Sequence, residues 1–168
     1  MIVAESARLI VRELEVDDSA SLMNAFGDEE GVRYSDGVKA LRWVEYSIRE
    51  MRKDYHAPGY GKWALVKKGD DTLLGYCGLE DLDVSGRQEV AVGYRFACPY
   101  WGQGYASEAA IAVRDYGLHA LGLKRLIAVI DPDNAASIRV AQKADFVYER
   151  DVMLEDYTYP DHLYSFKR

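Results

Sequence analysis

The sequence predicts an α+β domain built on one mixed, mostly antiparallel, twisted sheet of six to seven strands with about four helices. Two observations lead to this class. Three consecutive strand-like segments between residues 62 and 96 are joined by short turns, which is typical of an antiparallel meander. A β-α-β-α run then follows, so strands and helices are first segregated and later alternate, which favours a mixed sheet over a doubly wound one. The 168 residues fit a single domain without linker or internal repeat.

The N-terminal segment predicts a strand followed by a helix. Residues 8–14 alternate like a half-buried strand, because Leu9 and Val11 fall on one side of it. Capping oxygens at residues 17–19 then precede an apolar helical segment that reaches Phe26.

A polar loop and a long amphipathic helix come next. The glycine-flanked residues 27–37 predict the loop, and residues 39–55 predict the helix. Apolar residues recur in this helix at steps of three and four and form one stripe: Leu41, Val44, Ile48, Met51 and Tyr55. The charged residues of the opposite face indicate a solvated surface.

The middle of the chain predicts the three-stranded meander. Turn chemistry at residues 69–71 and 84–87 separates its strands. Gly75 and Gly78 interrupt the second strand and predict a bulge or a close backbone approach there. The predicted strands are residues 62–67, 72–79 and 88–96.

The C-terminal third predicts the alternating part of the fold. Its first helix has a narrow face of small residues, which permits close packing on a sheet, and the strand after it is rich in β-branched residues. The residues at 131–134 break that strand and cap the last helix. The predicted elements are helix 105–121, strand 123–130, a helix up to residue 143, and strands 146–154 and 157–166 around a turn at 155–156.

Composition narrows the functional classes. The net charge of −7 argues against nucleic acid or an anionic membrane as a partner and suits a basic acceptor such as an amine. Two cysteines without metal-ligand spacing and three scattered histidines predict no disulfide framework and no metal site. No signal peptide and no apolar run near the length of about 20 residues needed for a membrane span is seen. These features predict a cytoplasmic protein.

A strand followed by a glycine loop and a helix start predicts a phosphate-binding site. Pro99 breaks the strand at residues 90–96, and Gly102 and Gly104 then precede helical spacing. Glycines let backbone N–H groups converge, and the first turn of a helix leaves such groups unpaired. An ordinary tight turn would also explain two glycines. The Lys and Ser/Thr of a P-loop are absent, as are the third glycine and ribose-binding acid of a nicotinamide-dependent oxidoreductase.

Longer strings resemble one enzyme family. The strings SARLIVREL, VAVGYRFACPYWGQGYASEAA and NAASIRVAQKADF stand in this order and span nearly the whole chain. They resemble the first strand and the two motifs of the GNAT superfamily of N-acetyltransferases, in particular its ribosomal-protein N-terminal acetyltransferase branch. The resemblance implies a GNAT-like sheet that splays between the fourth and fifth predicted strands. It implies acetyl-CoA as the cofactor and acetyl transfer to a primary amine of a protein N-terminus or a small molecule, by direct attack through a tetrahedral intermediate.

The resemblance also implies which residues hold coenzyme A. Amides of the glycine loop would bind the pyrophosphate, the end of the preceding strand would pair with the pantetheine arm, and Asn134 would meet that arm or simply cap its helix. The implied residues are Tyr94, Arg95, Phe96, Ala97, Trp101, Gly102, Gln103, Gly104, Tyr105, Ala106, Ser107, Asn134 and Ser137.

The catalytic residues implied by the resemblance differ from the commonest family pattern. Many members carry a Tyr that acts as the general acid for the leaving thiolate, and Ala141 stands at that position here. Ser137 is then the candidate general acid. The alternative is that its hydroxyl only hydrogen-bonds to the backbone of the first turn of its helix. Acetyl transfer to an amine also needs a base, and Glu89 and Glu80, at strand ends, are the candidates. Asp145 replaces a usual glycine, which predicts a positive φ there.

The acceptor and the assembly state stay open at this level. Aromatic and thioether side chains near the first two helices and the central strands are candidate walls of an acceptor site: Met23, Tyr34, Trp43, Trp63 and Tyr76. The missing Tyr would also fit a non-catalytic acyl-CoA-binding or regulatory module. Edge strands near the C-terminus would permit a homodimer.

Overall fold

The fold is a single eight-stranded sheet with four α-helices packed on it. The structure is a computed structural model and describes residues 1–27, 29–30, 32–34, 37–154 and 158–167. Its strands are β1 (Ile2–Glu5), β2 (Leu9–Arg12), β3 (Lys62–Lys67), β4 (Leu73–Val84), β5 (Arg87–Phe96), β6 (Arg125–Ile130), β7 (Val147–Val152) and β8 (Asp161–Lys167). Its helices are α1 (Ser19–Phe26), α2 (Leu41–Asp54), α3 (Tyr105–His119) and α4 (Ala135–Lys143). Short 3₁₀ turns lie at Val16–Asp18 and Cys98–Tyr100.

The strand order is β1-β2-β3-β4-β5-β6-β8-β7, and β5 with β6 is the parallel pair in a sheet that is otherwise antiparallel over the described residues. The predicted mixed sheet and four helices are confirmed. The prediction of six to seven strands is one short, because it missed the edge strand β1. That strand has four residues, and Ile2 at its start is 57% exposed, so it lacks a strong period-two signal.

Three apolar clusters fix the helices on the sheet. Leu9, Val11 and Leu65 pack under α3, whose buried Ala109 and Val113 allow close approach. On the opposite face, Leu22 and Ile48 anchor α1 and α2 against the sheet. A third cluster fills the far end of β5, β6 and β8 with these residues: Val84, Ala91, Ile127, Val152 and Leu163. The two faces of the sheet are therefore packed on different helices.

The glycines of β4 have the role that the sequence predicts. A Cβ on Gly78 would overlap the backbone of Gly61, and a Cβ on Gly75 would overlap that of Arg95. The register of β3 with β4 shifts beside Gly75, at the pair that includes Val66. The predicted bulge and close approach are confirmed.

The turn predicted at residues 155–156 lies outside the described residues. Within the described part of the chain, no helix combines the length and apolarity that crossing a bilayer requires.

The predicted positive φ at Asp145 is also confirmed, with a value of 61°. The Asp145 carboxylate accepts a hydrogen bond from Arg114 at 2.9 Å, and the same guanidinium donates to the carbonyl of Ala144 at 2.6 Å. A left-handed residue costs about 1 kcal/mol unless it is glycine. The Asp145 side chain is 74% exposed, so its ion pair contributes less than about 1 kcal/mol.

We expect Asp145→Gly and Asp145→Ala to separate these two effects. Both variants lose the ion pair, but only glycine relieves the backbone strain. The melting temperature of Asp145→Gly should therefore exceed that of Asp145→Ala by about 2–4 °C, the shift for about 1 kcal/mol in a domain of this size. Thermal unfolding followed by circular dichroism measures the difference. Equal melting temperatures would show that the turn is not strained.

Candidate active site

The sheet opens between β5 and β6. The two strands share the register pair Ala91 and Ile127, and beyond this pair they diverge among the described residues. A cavity of about 480 Å³ fills the gap, and we call it the splay cavity. Its lining residues are Arg33, Tyr34, Val92, Gly93, Tyr94, Ala128, Val129, Ile130, Asp131, Asn134, Ser137, Tyr159 and Asp161. The predicted splay is thus present and is wide enough to admit a ligand between the strands.

A second cavity of about 580 Å³, the loop cavity, continues from the splay to the start of α3. Gly104 is the N-cap of α3 with a φ of 82°, and Gly102 precedes it with a φ of 72°. Gly104 has no side chain to cap this helix, so within the described part of the chain the first N–H groups of α3 have no intrahelical or cap partner. Apart from its own chain neighbours, no described residue has an atom within 4 Å of the position of a Cβ on Gly102. These features make a backbone cradle for an anion at the positive end of the helix dipole.

The charges around the loop cavity suit an anionic ligand. Its described lining residues include four cations, Arg33, Arg95, Arg139 and Lys143, against the two carboxylates of Glu30 and Asp133. The protein as a whole has a net charge of −7. The loop cavity is therefore a locally positive part of an acidic protein, which favours phosphate groups there.

Contacts from the hairpin of β1 and β2 hold the glycine loop at residues 102–104 in place. Glu108 in the first turn of α3 accepts hydrogen bonds from the Ser6 hydroxyl at 2.6 Å and from the Arg8 backbone and side chain at 2.7 Å each. The Arg8 guanidinium also donates to the carbonyl of Gln103 at 3.0 Å and stacks over the ring of Tyr105. Partial burial raises the pKa of Glu108, but its hydrogen bonds outweigh burial and lower the pKa overall. No local pattern in the sequence predicts these contacts, because they join residues about a hundred positions apart.

Helix α4 places two predicted residues at the junction of both cavities. The side-chain oxygen of Asn134 accepts from the amide of Ser137 at 3.1 Å, so Asn134 is the N-cap of α4. Both residues also line both cavities. The Tyr94 hydroxyl donates to the carbonyl of Ser137 at 3.2 Å, and burial raises the Tyr94 pKa, so this hydroxyl stays protonated. Asn134 is thus a cap that also faces the ligand space.

Most of the residues predicted to hold a cofactor meet at the loop cavity. Two do not line it. Ala97 is buried, and its amide donates to the carbonyl of Leu74 at 3.0 Å. Gln103 points its side-chain amide at the carbonyl of Pro99, 2.8 Å away. Those that line it are Tyr94, Arg95, Phe96, Trp101, Gly102, Gly104, Tyr105, Ala106, Ser107, Asn134 and Ser137.

The two candidate bases lie in different surroundings. Glu89 is 7% exposed and is bound by Arg125 at 3.0 Å and Arg87 at 3.1 Å, and it lines neither cavity. Glu80 lies opposite Ala91 in the sheet, and one of its oxygens, Oε1, would be 3.0 Å from a Cβ on Gly93, a wall of the splay cavity. Its other oxygen binds Lys62 at 2.7 Å. The absence of a side chain at Gly93 therefore leaves room for Glu80 beside the cavity.

Of the five predicted acceptor walls, Tyr34 lines a cavity, and its hydroxyl donates to the carbonyl of Asp133 at 3.2 Å. The other four line neither cavity. Trp63 lies on the opposite face of the sheet, in the cluster under α3 and against Tyr116. Tyr76 stacks on Phe26, which also contacts Trp43, and Met23 packs on the same cluster. The sequence could not assign these faces, because strand alternation does not say which face meets which helix.

Sequence reasoning missed several lining residues. Arg139 and Lys143 lie four positions apart on α4, which puts them on one helix face toward the loop cavity. Asp161 lines the splay cavity, and its alternation with the inward-facing Leu163 was an available signal that a carboxylate points inward. Tyr159 lines the same cavity and donates to Asp131 at 2.6 Å. This hydrogen bond raises the pKa of Tyr159 to about 12.

The same architecture occurs in solved structures of acetyltransferases. The structure of an acetyltransferase (GNAT family) from Bacillus anthracis superposes with a TM-score of 0.85 at 23% identity, covering 99% of this chain and 98% of the other. The structure of RimL, a ribosomal L7/L12 alpha-N-protein acetyltransferase in complex with coenzyme A, superposes with a TM-score of 0.81 at 16% identity, covering 99% and 98%. At these identities the two structures show a shared fold.

Matches of the sequence to a family model and to a relative show the family to which the chain belongs. The model of the acetyltransferase (GNAT) domain matches residues 8–147. The uncharacterized N-acetyltransferase p20 of Bacillus licheniformis is 30% identical over 156 residues, which is 89% of this chain and 84% of the relative. The chain belongs to the GNAT family of acetyltransferases, and it is an acyltransferase. The predicted family and enzyme class are confirmed.

Proposed function

We propose that this protein transfers an acetyl group from acetyl-CoA to a primary amine, which belongs to a small molecule or to a protein N-terminus. The observation that carries the proposal is the continuity of the two cavities. The positive loop cavity runs from the glycine cradle to the splay, where Ser137, Asn134 and Tyr94 line both spaces. A long ligand with phosphates at one end and a reactive group at the other fits such a path. The splay cavity then receives the acceptor.

The residues present fit coenzyme A. The amides at the start of α3, with Gly102 and Gly104 giving close access, would hold the pyrophosphate, while Arg139 and Lys143 add positive charge. The backbone edge of β5 that β6 leaves unpaired would bind the pantetheine amides. When bound, acetyl-CoA supplies a thioester as the acyl donor. The fold of RimL, whose structure contains coenzyme A, supports this assignment.

We propose that Glu80 takes the proton from the acceptor ammonium. A protonated amine has no lone pair for attack, so the transfer needs a carboxylate near the nucleophile. Glu80 is not itself a lining residue of either cavity, but its Oε1 lies 3.0 Å from the position of a Cβ on the lining residue Gly93. Its other oxygen binds Lys62, which keeps the carboxylate in place. Burial lowers the pKa of Lys62, but the charge of Glu80, the nearby Tyr76 and the hydrogen bond to Glu80 together outweigh burial and raise the pKa overall, so Lys62 stays positive. Glu89 is already bound by two arginines away from the cavities, which argues against it as the base.

In this reaction the amine nitrogen forms a bond with the acetyl carbon, and the carbon–sulfur bond breaks. Glu80 accepts the proton that the ammonium loses before attack. The second proton of the nitrogen reaches the departing sulfur through Ser137, whose hydroxyl gives its own proton to the thiolate and regains one from the nitrogen. The Ser137 amide is held by Asn134, which fixes the residue at the junction of the cavities. The family's Tyr acid has no counterpart here because that position is Ala141, which is buried.

We expect Ser137→Ala to lower kcat by about ten- to a hundredfold while leaving the KM for acetyl-CoA within about twofold. The lower end of the usual range for a general acid applies, because a thiol of pKa about 8.5 is an easy leaving group near neutral pH. Steady-state thiol release at saturating acceptor measures kcat. A higher KM for acetyl-CoA with unchanged kcat would mean that Ser137 only binds the cofactor.

The test of the proposed function is free-thiol release from acetyl-CoA with a panel of amines: monoamines, diamines, amino acids, aminoglycosides and short peptides with free N-termini. We expect acceptor-dependent release with at least one class. Coenzyme A that raises the melting temperature without any acceptor-dependent release would favour the non-catalytic binding module. The lack of both effects would overturn the cofactor assignment itself.

A further inference from the structure

We propose that Asp161 is a specificity residue that binds a second protonated nitrogen of the acceptor, one that is not acetylated. The inference rests on the proposed function, since it names the chemical class of the acceptor. It predicts substrates that carry two or more amino groups on a compact chain. A peptide with one free amine and no nearby cation would lack this contact.

The first support is the burial of Asp161 in the cavity wall. Asp161 is the first residue of β8, is 5% exposed and lines the splay cavity. Its Oδ1 atom is fully buried and accepts no hydrogen bond from any described residue. Buried carboxylate oxygens are almost always paired, because leaving one unpaired costs free energy. A buried oxygen of this kind in a cavity wall indicates a position for a donor from a ligand.

The second support is that the neighbouring side chains have other partners. Asp131 follows β6 beside Asp161 and accepts from the hydroxyl of Tyr159 at 2.6 Å and from the amide of Asp133 at 2.8 Å. His162 points away, with Nε2 3.5 Å from Asp151 and its ring against Tyr148. Within the described part of the chain, no cation is paired with Asp161.

The third support is the sign of the charge at this end of the cavity. Asp131 and Asp161 are its carboxylates, and Arg33 is the one cation among its described lining residues. The Arg33 side chain is 64% exposed, lies 4.0 Å from Glu30 and stacks over Tyr34, so it does not neutralise the pair. Burial, and secondly the charge of Asp131, raise the pKa of Asp161, and the smaller opposing effect of His162 does not cancel this rise. A cation beside Asp161 would therefore stabilise its ionised form. An ammonium supplies both the charge and the missing donor.

Asp161 and Glu80 have separate tasks in this arrangement. Glu80 lies on β4, on one side of the splay, and Asp161 lies on β8, on the other side. The reacting amine must become neutral near Glu80, whereas the second nitrogen stays protonated at Asp161. A carboxylate that only anchors a cation changes the binding of the acceptor and its KM, and it does not change the proton transfer.

The experiment compares 1,4-diaminobutane with butylamine, which differ by the second nitrogen. Isothermal titration into the protein saturated with coenzyme A measures binding, and thiol release from acetyl-CoA measures turnover. The variants are Asp161→Asn, Asp161→Ser and the control Asp151→Asn. The control removes the same charge on β7, outside both cavities, at a side chain that is 55% exposed.

We expect the wild-type protein and Asp151→Asn to bind the diamine at least tenfold more tightly than butylamine, and the Asp161 variants to bind the two amines within about threefold. Asp161→Asn should melt no lower than the wild type at pH 7, because an ionised Asp161 with a raised pKa costs folding free energy above its ordinary pKa. A diamine preference that survives in both Asp161 variants, or that the wild type lacks, overturns the inference.

The two readouts separate this inference from the proposed function. Diamine binding that is lost in the Asp161 variants, without thiol release from any amine, would support the Asp161 site and contradict the proposed acetyl transfer. Thiol release with equal efficiency from monoamines and diamines would support acetyl transfer and overturn the role of Asp161.

Discussion

Glu80→Gln is expected to lower kcat/KM for the acceptor by about 10²- to 10³-fold, within the usual contribution of a positioned general base. Glutamine keeps the size of the side chain beside Gly93 but cannot accept a proton at neutral pH. We expect the substitution to change the free energy of unfolding very little. The Glu80 side chain is 45% exposed, and its pair with Lys62 is therefore worth less than about 1 kcal/mol.

The pH dependence distinguishes a base from a binding group. A solution amine loses its own proton as the pH approaches its pKa, about 10.4 for an alkylamine such as lysine. The enzyme then needs no base, so the defect of Glu80→Gln should shrink steadily between pH 7 and pH 10. Steady-state thiol release over this range measures it. A defect that stays constant with pH, or a melting temperature that falls in proportion to the activity, would show that Glu80 is not the base.

The sequence predicted the local features of the fold well. Positive φ at Gly102, Gly104 and Asp145 follows from residue type and from the break at Pro99, and the cap at Asn134 follows from side-chain chemistry. Each depends on a few neighbours in the chain. The edge strand β1 was missed because four partly exposed residues bury too little apolar surface to leave a pattern.

The roles of the carboxylates depend on contacts between strands, and for this reason the sequence left Glu80 and Glu89 as alternatives. Both lie on the same face of the sheet, in β4 and β5. Arg125 on β6 binds Glu89, whereas Gly93 on β5 leaves space for Glu80. Neither partner is close in sequence to the residue that it affects. The pairing of β6 with β8 likewise brings Asp161 to the splay cavity, although its alternation with Leu163 already indicated the face on which it lies.

The buried network around Glu89 leads to the second large expected effect, this time on stability. Glu89 and Arg125 are both largely buried, with side chains 5% and 13% exposed, and they lie 3.0 Å apart. Arg125 also binds Glu149 at 2.8 Å, and this hydrogen bond is the main reason that the pKa of Glu149 falls to about 2. Removing the charge of Glu89 leaves a buried guanidinium with one carboxylate instead of two. Breaking a buried pair usually costs about 3–5 kcal/mol, and the remaining partner reduces this to about 2–3 kcal/mol.

Glu89→Gln should therefore lower the melting temperature by about 4–12 °C, given about 2–4 °C per kcal/mol for a domain of this size. At a temperature where the variant is fully folded, its kcat should stay within about threefold of the wild type, because the Glu89 carboxylate is bound by Arg125 and Arg87, whereas that of Glu80 lies beside Gly93. Glu80→Gln is the matched control, since the same chemical change on the neighbouring strand should have the opposite pattern: activity lost and melting temperature kept. Thermal unfolding and thiol release on both variants test this pair of expectations. A hundredfold loss of kcat in folded Glu89→Gln would make Glu89 the base after all, and an unchanged melting temperature would mean that the network with Arg125 contributes little to the fold.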